Sequence, residues 1–213
     1  MIILSICAAL LVENFTAADI WKARGSVILG VNSLLALMCF APVYGFFHRM
    51  TCADSWLFPR LDGEWDAEIC SNWPRIRRTY EAARSKKEQF NAMADPLGPQ
   101  EELERITKAK VTIKSSLLTI EVRLEPENSK RISKTRFVRP LWNKPERPEL
   151  TYVFQQIDTG PISVTDETKH FGAGLLEYDS ESGELFGEYW TQRAEKSGFN
   201  TAGKVTLRRR SQS

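Results

Sequence analysis

Histidine is almost absent from this 213-residue chain, with His48 and His170 the only two. Cysteine is little commoner, and Cys7, Cys39, Cys52 and Cys70 form no CxxC pair and no Cys/His ligand spacing. Neither a disulfide framework nor a zinc site is indicated, and the unpaired Cys52 and Cys70 point to a reducing compartment. An excess of one charge is missing as well. Lysine plus arginine number 29 against 27 acidic residues, a formal charge of +2. That excludes a nucleic-acid-binding domain built on bulk positive charge, so no DNA or RNA partner is expected. Catalytic signatures are lacking too: there is no HExxH and no GxSxG, and "GAG" at 172–174 falls in a strand pattern rather than ahead of a helix. No catalytic residue and no metal ligand is assigned, and the chain is not read as an enzyme.

Charge is also absent from one long run. Ser26 to Phe47, "SVILGVNSLLALMCFAPVYGFF", matches the ~20 apolar residues needed to cross a bilayer and is predicted to be a transmembrane helix. Within it Ser26 and Gly30, and again Ala41 and Gly45, are small residues four apart, the spacing that lets membrane helices approach closely. Asn32 can add an interhelical hydrogen bond, and Pro42 is expected to kink the helix. The opening "MIILSICAALLV" is shorter and lacks the charged n-region of a signal peptide, so it is expected to be a short first span. The basic residues Lys22 and Arg24 of the link, offset by Asp19, stand against His48, Arg49 and Arg60 beyond the second span, so charge barely decides the orientation and the unpaired Cys52 and Cys70 favour a cytosolic domain.

What is abundant is strand signal. "PRLDGEWDAEI" alternates strictly, with Leu61, Gly63, Trp65, Ala67 and Ile69 on one face and four carboxylates on the other. A Gly-x-Trp opening such a strand is how many small β-barrels begin. "NWPRIRRTYEAARSKKEQFNAM" follows as one amphipathic helix, with Pro74 in its first turn and Ile76, Tyr80, Ala83 and Phe90 on one side. Further strands are predicted over 109–114, 117–124, 131–138, 150–157, 171–178, 184–193 and 201–208, separated by turn-like segments. Eight short strands favour a closed antiparallel barrel, because closure removes exposed edges. The fold class is therefore mainly β: N-terminal transmembrane helices over residues 1–50, a linker over 51–60, and an eight-stranded antiparallel minimal barrel with one inserted helix over 61–210.

The interior of such a barrel is either filled or holds one small ligand. Parity groups Trp65, Ala67 and Ile69 on the inside, with Leu118, Ile120 and Val122, and Val205 and Leu207 with Thr201 and Gly203. In "GELFGEYWTQR" the inward set is Leu185, Gly187, Tyr189, Thr191 and Arg193, since the opposing set carries Glu188 at its centre. Arg193 beside Tyr189 and Thr191 reads either as an anion clamp or as an ion-paired cap on the barrel mouth.

Two N-terminal apolar segments followed in order by "DGEW", "SNW", "LTYVF", "HFGAGLLEY", "LFGEYWTQR" and "TAGKVTLRR" resemble the SMODS-associating two-transmembrane, β-strand-rich effectors of bacterial CBASS anti-phage systems. The run from His170 to Arg208 is the most specific part. The resemblance implies a cytosolic barrel that binds a cyclic dinucleotide made by a partner CD-NTase, with no other cofactor. It implies a multi-pass protein of the bacterial inner membrane that self-associates into oligomers and disrupts the lipid bilayer, causing abortive infection. A cyclic dinucleotide calls for cations against phosphate, aromatic faces for bases, and hydroxyls for base edges. The candidates are Arg136, Tyr152, Tyr189, Thr191, Arg193 and Thr201, with Trp73 and Tyr80 on the inserted segment in reserve and Trp65 and Phe154 assigned to the core. The rival reading is a membrane-anchored, lipocalin-like carrier, which predicts an apolar cavity and salt-insensitive binding. A constitutive protein-binding scaffold is a third.

Overall fold

A computed structural model describes residues 17–55, 58–85, 89–127, 129–141, 147–160, 168–193 and 198–210. The short first span expected over residues 1–12 lies outside the described residues. The described chain begins with helices α1 (Ala17–Met38) and α2 (Ala41–Met50) and a single 3-10 turn (Ala53–Ser55). Eight strands follow: β1 (Gly63–Ser71), β2 (Ile106–Ser115), β3 (Ile120–Pro126), β4 (Arg131–Leu141), β5 (Glu149–Asp158), β6 (Lys169–Asp179), β7 (Glu184–Gln192) and β8 (Ala202–Arg209). Each pairs antiparallel with the next, and β8 closes on β1, giving the closed eight-stranded antiparallel barrel that the alternation predicted.

The apolar run does not form the single spanning helix expected of it. Among the described residues no single helix is long and apolar enough to cross a membrane; Ser26–Met38 and Ala41–Met50 meet the length and composition only as a pair, bent by 103°. Proline explains the break. Pro42 has no N–H to donate to the Met38 carbonyl four residues earlier. The helix tightens instead, Cys39 and Phe40 donating to Ala36 and Leu37, and the Met38 carbonyl accepts the Leu117 N–H from the barrel at 3.2 Å. The Ala41/Gly45 pair also has a different neighbour from the one expected. Gly45 is buried, and a Cβ there would lie 2.6 Å from the Arg60 guanidinium, so this glycine faces the barrel's entry segment, not another helix.

The barrel floor lies beside α2. Leu61, Trp65, Ile113, Leu150 and Leu185 are fully buried there. The Trp65 indole donates to the Leu61 carbonyl at 2.9 Å, and the Arg209 guanidinium lies 4.6 Å from the Trp65 ring while donating to the carbonyls of Asp62 and Arg60. Leu118, predicted to point inward, is 77 % exposed. Ser116 and Thr119 bond to one another and turn the chain, so the strand starts at Ile120.

Among its described residues the insertion between β1 and β2 holds two helices rather than one, α3 (Trp73–Arg84) and α4 (Pro99–Glu104). The amphipathic helix was expected to run past Phe90 and end near "DPLGP" at 95–99. It ends at Arg84 instead, Ser85 turns extended, and Phe90 lies near the guanidinium groups of Arg75 and Arg78 while Arg75 donates to the carbonyls of Ala92 and Asp95. Arg78 then pairs with Glu101 at 2.8 Å, tying α3 to α4.

Candidate ligand-binding site

Because β1 runs away from the floor, α3 and α4 sit at the opposite end, and there the barrel is hollow. A cavity of about 290 Å³ is bounded by side chains from every strand except the outward rows, with Trp73 and Glu104 from the insertion. That is near the lower end of the ~300–1,000 Å³ range of small-molecule sites.

Register explains why space remains. Tyr152 pairs with Gly174 and Phe154 with Gly172 across the β5–β6 ladder, and Tyr189 lies between Gly174 and Gly203. A Cβ at Gly174 would sit 2.6 Å from the Tyr152 ring, and one at Gly172 would collide with Phe154. The glycines thus let both rings lie along the wall, where they stack at 5.8 Å and 29°. Burial raises the pKa of the Tyr152 phenol, with the neighbouring Tyr189 adding to it, and burial likewise raises that of Tyr189. Both remain protonated donors through the physiological range.

The lining changes character along the barrel. Val111, Val122, Leu124, Leu176, Val205 and Leu207 make its deep part apolar. Toward the mouth come Ser133, Gln156, His170, Arg131 and Arg193. Arg131 is paired with the buried Asp158 at 2.8 Å, and the Arg193 guanidinium lies 5.2 Å from the Trp73 ring. Trp73 is held at the mouth from two sides. The Ser71 hydroxyl accepts its N–H, while Asn72 exchanges hydrogen bonds with Ala202 of β8 at 2.9 Å each way. Phe199 packs edge-on against both Trp73 and Tyr80.

Five of the six residues singled out from the sequence line this cavity: Tyr152, Tyr189, Thr191, Arg193 and Thr201. Thr191 and Thr201 are buried and bond to each other, Oγ1 to Oγ1 at 2.6 Å, so their first task is to close the β7–β8 end. Arg136 is not brought to the site. A bulge between Thr135 and Phe137 puts Arg136 on the outer wall, where its Nε donates to Gln155 at 3.0 Å. Phe154, assigned to the core, is buried and also lines the cavity, and Trp73 joins the lining while Tyr80 does not. Sequence reasoning missed Arg131, Ser133, Gln156 and His170. Their parity with Tyr152 and Phe154 was available, but the bulge in β4 and the bounds of β6 were not. No protein-family model and no curated protein sequence matches the chain.

Proposed function

We propose that the barrel is a receptor for a cyclic dinucleotide, in a membrane-anchored effector of the SMODS-associating two-transmembrane, β-strand-rich kind that serves CBASS defence beside a partner CD-NTase. One observation carries this reading: the open half of the cavity combines a stacked aromatic wall, Tyr152 on Phe154, with the guanidinium groups of Arg193 and Arg131 and with protonated phenols. A base fits against the aromatic wall, its edge accepts from the tyrosines, and a phosphate meets Arg193 at the mouth. The volume suits one nucleoside half within the barrel, leaving the other beside Trp73 and the insertion.

Support for the membrane part is the exposure of α1. Val27, Leu29, Val31, Leu35 and Leu37 are each about half exposed or more, around the uncharged Ser26–Met38 part of the helix. A helix apolar all round belongs in a protein core or in lipid. In this reading ligand binding gathers the barrels, and the helices then damage the inner membrane on whose cytoplasmic side the barrel lies. The apolar deep half of the cavity favours a second reading, a lipocalin-like carrier of an apolar ligand.

Full-length protein reconstituted into dye-loaded vesicles distinguishes the two. Leakage is expected when one member of a cyclic dinucleotide panel is added and not with a fatty acid. No leakage with any dinucleotide, together with uptake of the fatty acid, would reject the effector reading in favour of the carrier.

A further inference from the structure

A second pocket lies at the floor end, outside the barrel. It measures about 460 Å³ and is lined by His48, Arg49, Asp54, Arg60, Asp62 and Arg209, which come from α2, the 3-10 turn, the entry segment before β1 and the end of β8. Its charges are unequally engaged. Asp62 is satisfied internally, taking Arg60 Nε at 2.7 Å on one oxygen and the Ser115 N–H on the other. Arg209 donates to two backbone carbonyls, neutral acceptors that leave its charge uncancelled. The exposed Arg49 makes no ion pair among the described residues. The pocket therefore keeps an excess of guanidinium, with the Asp54 carboxylate at its rim, 62 % exposed.

His48 supplies a second observation. It is 3 % exposed, and its Nε2 donates to the Phe58 carbonyl at 3.0 Å, which leaves Nδ1 an acceptor in the neutral ring. That nitrogen has no hydrogen-bond partner among the described residues and faces Asp54 Oδ1 at 3.8 Å. The distance is too long for a hydrogen bond, and no hydrogen lies between the two acceptors. We propose that this pocket seats a phospholipid headgroup that carries both a phosphate and a primary amine. Arg49, Arg60 and Arg209 meet the phosphate oxygens. The ammonium sits on Asp54 and brings the positive charge that the carboxylate and the facing imidazole nitrogen lack.

A lipid fits better than a free phosphate because the apolar surface continues from the pocket. Phe46 and Met50 stand beside Arg49 on α2 and are 65 % and 62 % exposed, and the exposed apolar residues of α1 follow. Acyl chains leaving the headgroup thus have an apolar path, while the arginines keep their charged ends at the polar level. The proposal rests on the membrane part of the effector reading, which puts the floor end of the barrel at the lipid surface. It adds a brace at that junction. Arg60 joins Asp62 of the entry segment to the Gly45 carbonyl of α2, 3.5 Å from Nη1, so a headgroup held there ties the helices to the barrel.

The test is calorimetric titration of the full chain in detergent with short-chain phosphatidylethanolamine, phosphatidylcholine and phosphatidylglycerol, and with inorganic phosphate. Saturable uptake of phosphatidylethanolamine is expected, about tenfold tighter than that of the other two lipids, with no competition from inorganic phosphate. Arg49→Gln, at an exposed position, should weaken uptake of all three lipids about tenfold. Asp54→Asn still accepts the Arg60 N–H and should erase the preference for phosphatidylethanolamine over phosphatidylglycerol without weakening the latter, a change that misfolding would not give. Uptake of no phospholipid overturns the proposal, as does uptake that is equal for the three lipids and indifferent to Arg49→Gln, since the apolar helices alone would then hold the chains. Inorganic phosphate that displaces the lipid makes this a free-anion site and also overturns it. If vesicles leak on addition of a cyclic dinucleotide but the headgroup preference is absent, the headgroup site is wrong and the effector reading stands. A chain that selects phosphatidylethanolamine through Arg49 and Asp54 yet binds no dinucleotide would sink the sensor and support the site.

Discussion

Among single residues, Trp65 has the largest structural consequence. It is fully buried, donates its indole N–H to Leu61, and has Arg209 over its ring. Replacing it leaves a void at the floor and an orphaned carbonyl, so Trp65→Ala should cost about 3–5 kcal/mol, read as a lowered melting temperature of the full chain. Its role was legible because a Gly-x-Trp at the head of a strictly alternating strand leaves little choice of face. Gly172 and Gly174 were harder to read. Their spacing matches that of Tyr152 and Phe154, and small opposite large across a ladder is the signal of a hollow wall, but it acquires meaning only once β5 and β6 are paired in register. Arg136 went astray because one inserted residue at the bulge reverses the facing of everything beyond it.

Elements were legible where the pattern had period two and less so where a local contact outbid it. All eight strands were foreseen, since each carries several alternations, and their ends moved by a few residues. The helices fared worse. Amphipathic spacing alone carried the inserted helix past Phe90, but cation–aromatic contacts with Arg75 and Arg78 hold that ring in a returning chain. In the apolar run, composition suggested one span and Pro42 divided it. The difference is measurable by electron–electron distance between spin labels at Ser26 and Met50. An unbroken helix would separate these positions by about 36 Å, and the bent pair holds them at roughly 20 Å. Pro42→Ala should lengthen the distance, because it restores the N–H that Met38 lacks and frees that carbonyl from Leu117. An unchanged distance would place the cause of the bend in the barrel contact rather than in the proline.

At the scale of the whole molecule, a barrel closed at the floor and hollow at the mouth carries its helices at the closed end and its insertion over the open one. The cavity is thus separated from the apolar helices by the packed layer around Trp65. The hollow itself could not be read from parity, since inward residues fill some barrels and line others. It was the glycine rungs that kept this one open. The central claim is that the mouth reads an anionic, aromatic ligand, and the most direct measurement is calorimetric titration of the full chain with a cyclic dinucleotide panel at low and high salt. The account predicts saturable binding of at least one member, weakened by salt because phosphate meets guanidinium, and weakened by about 1.5–3 kcal/mol in Arg193→Ala. Folded protein that binds no cyclic dinucleotide, or that takes up only an apolar ligand with an affinity indifferent to salt and to Arg193, would contradict it.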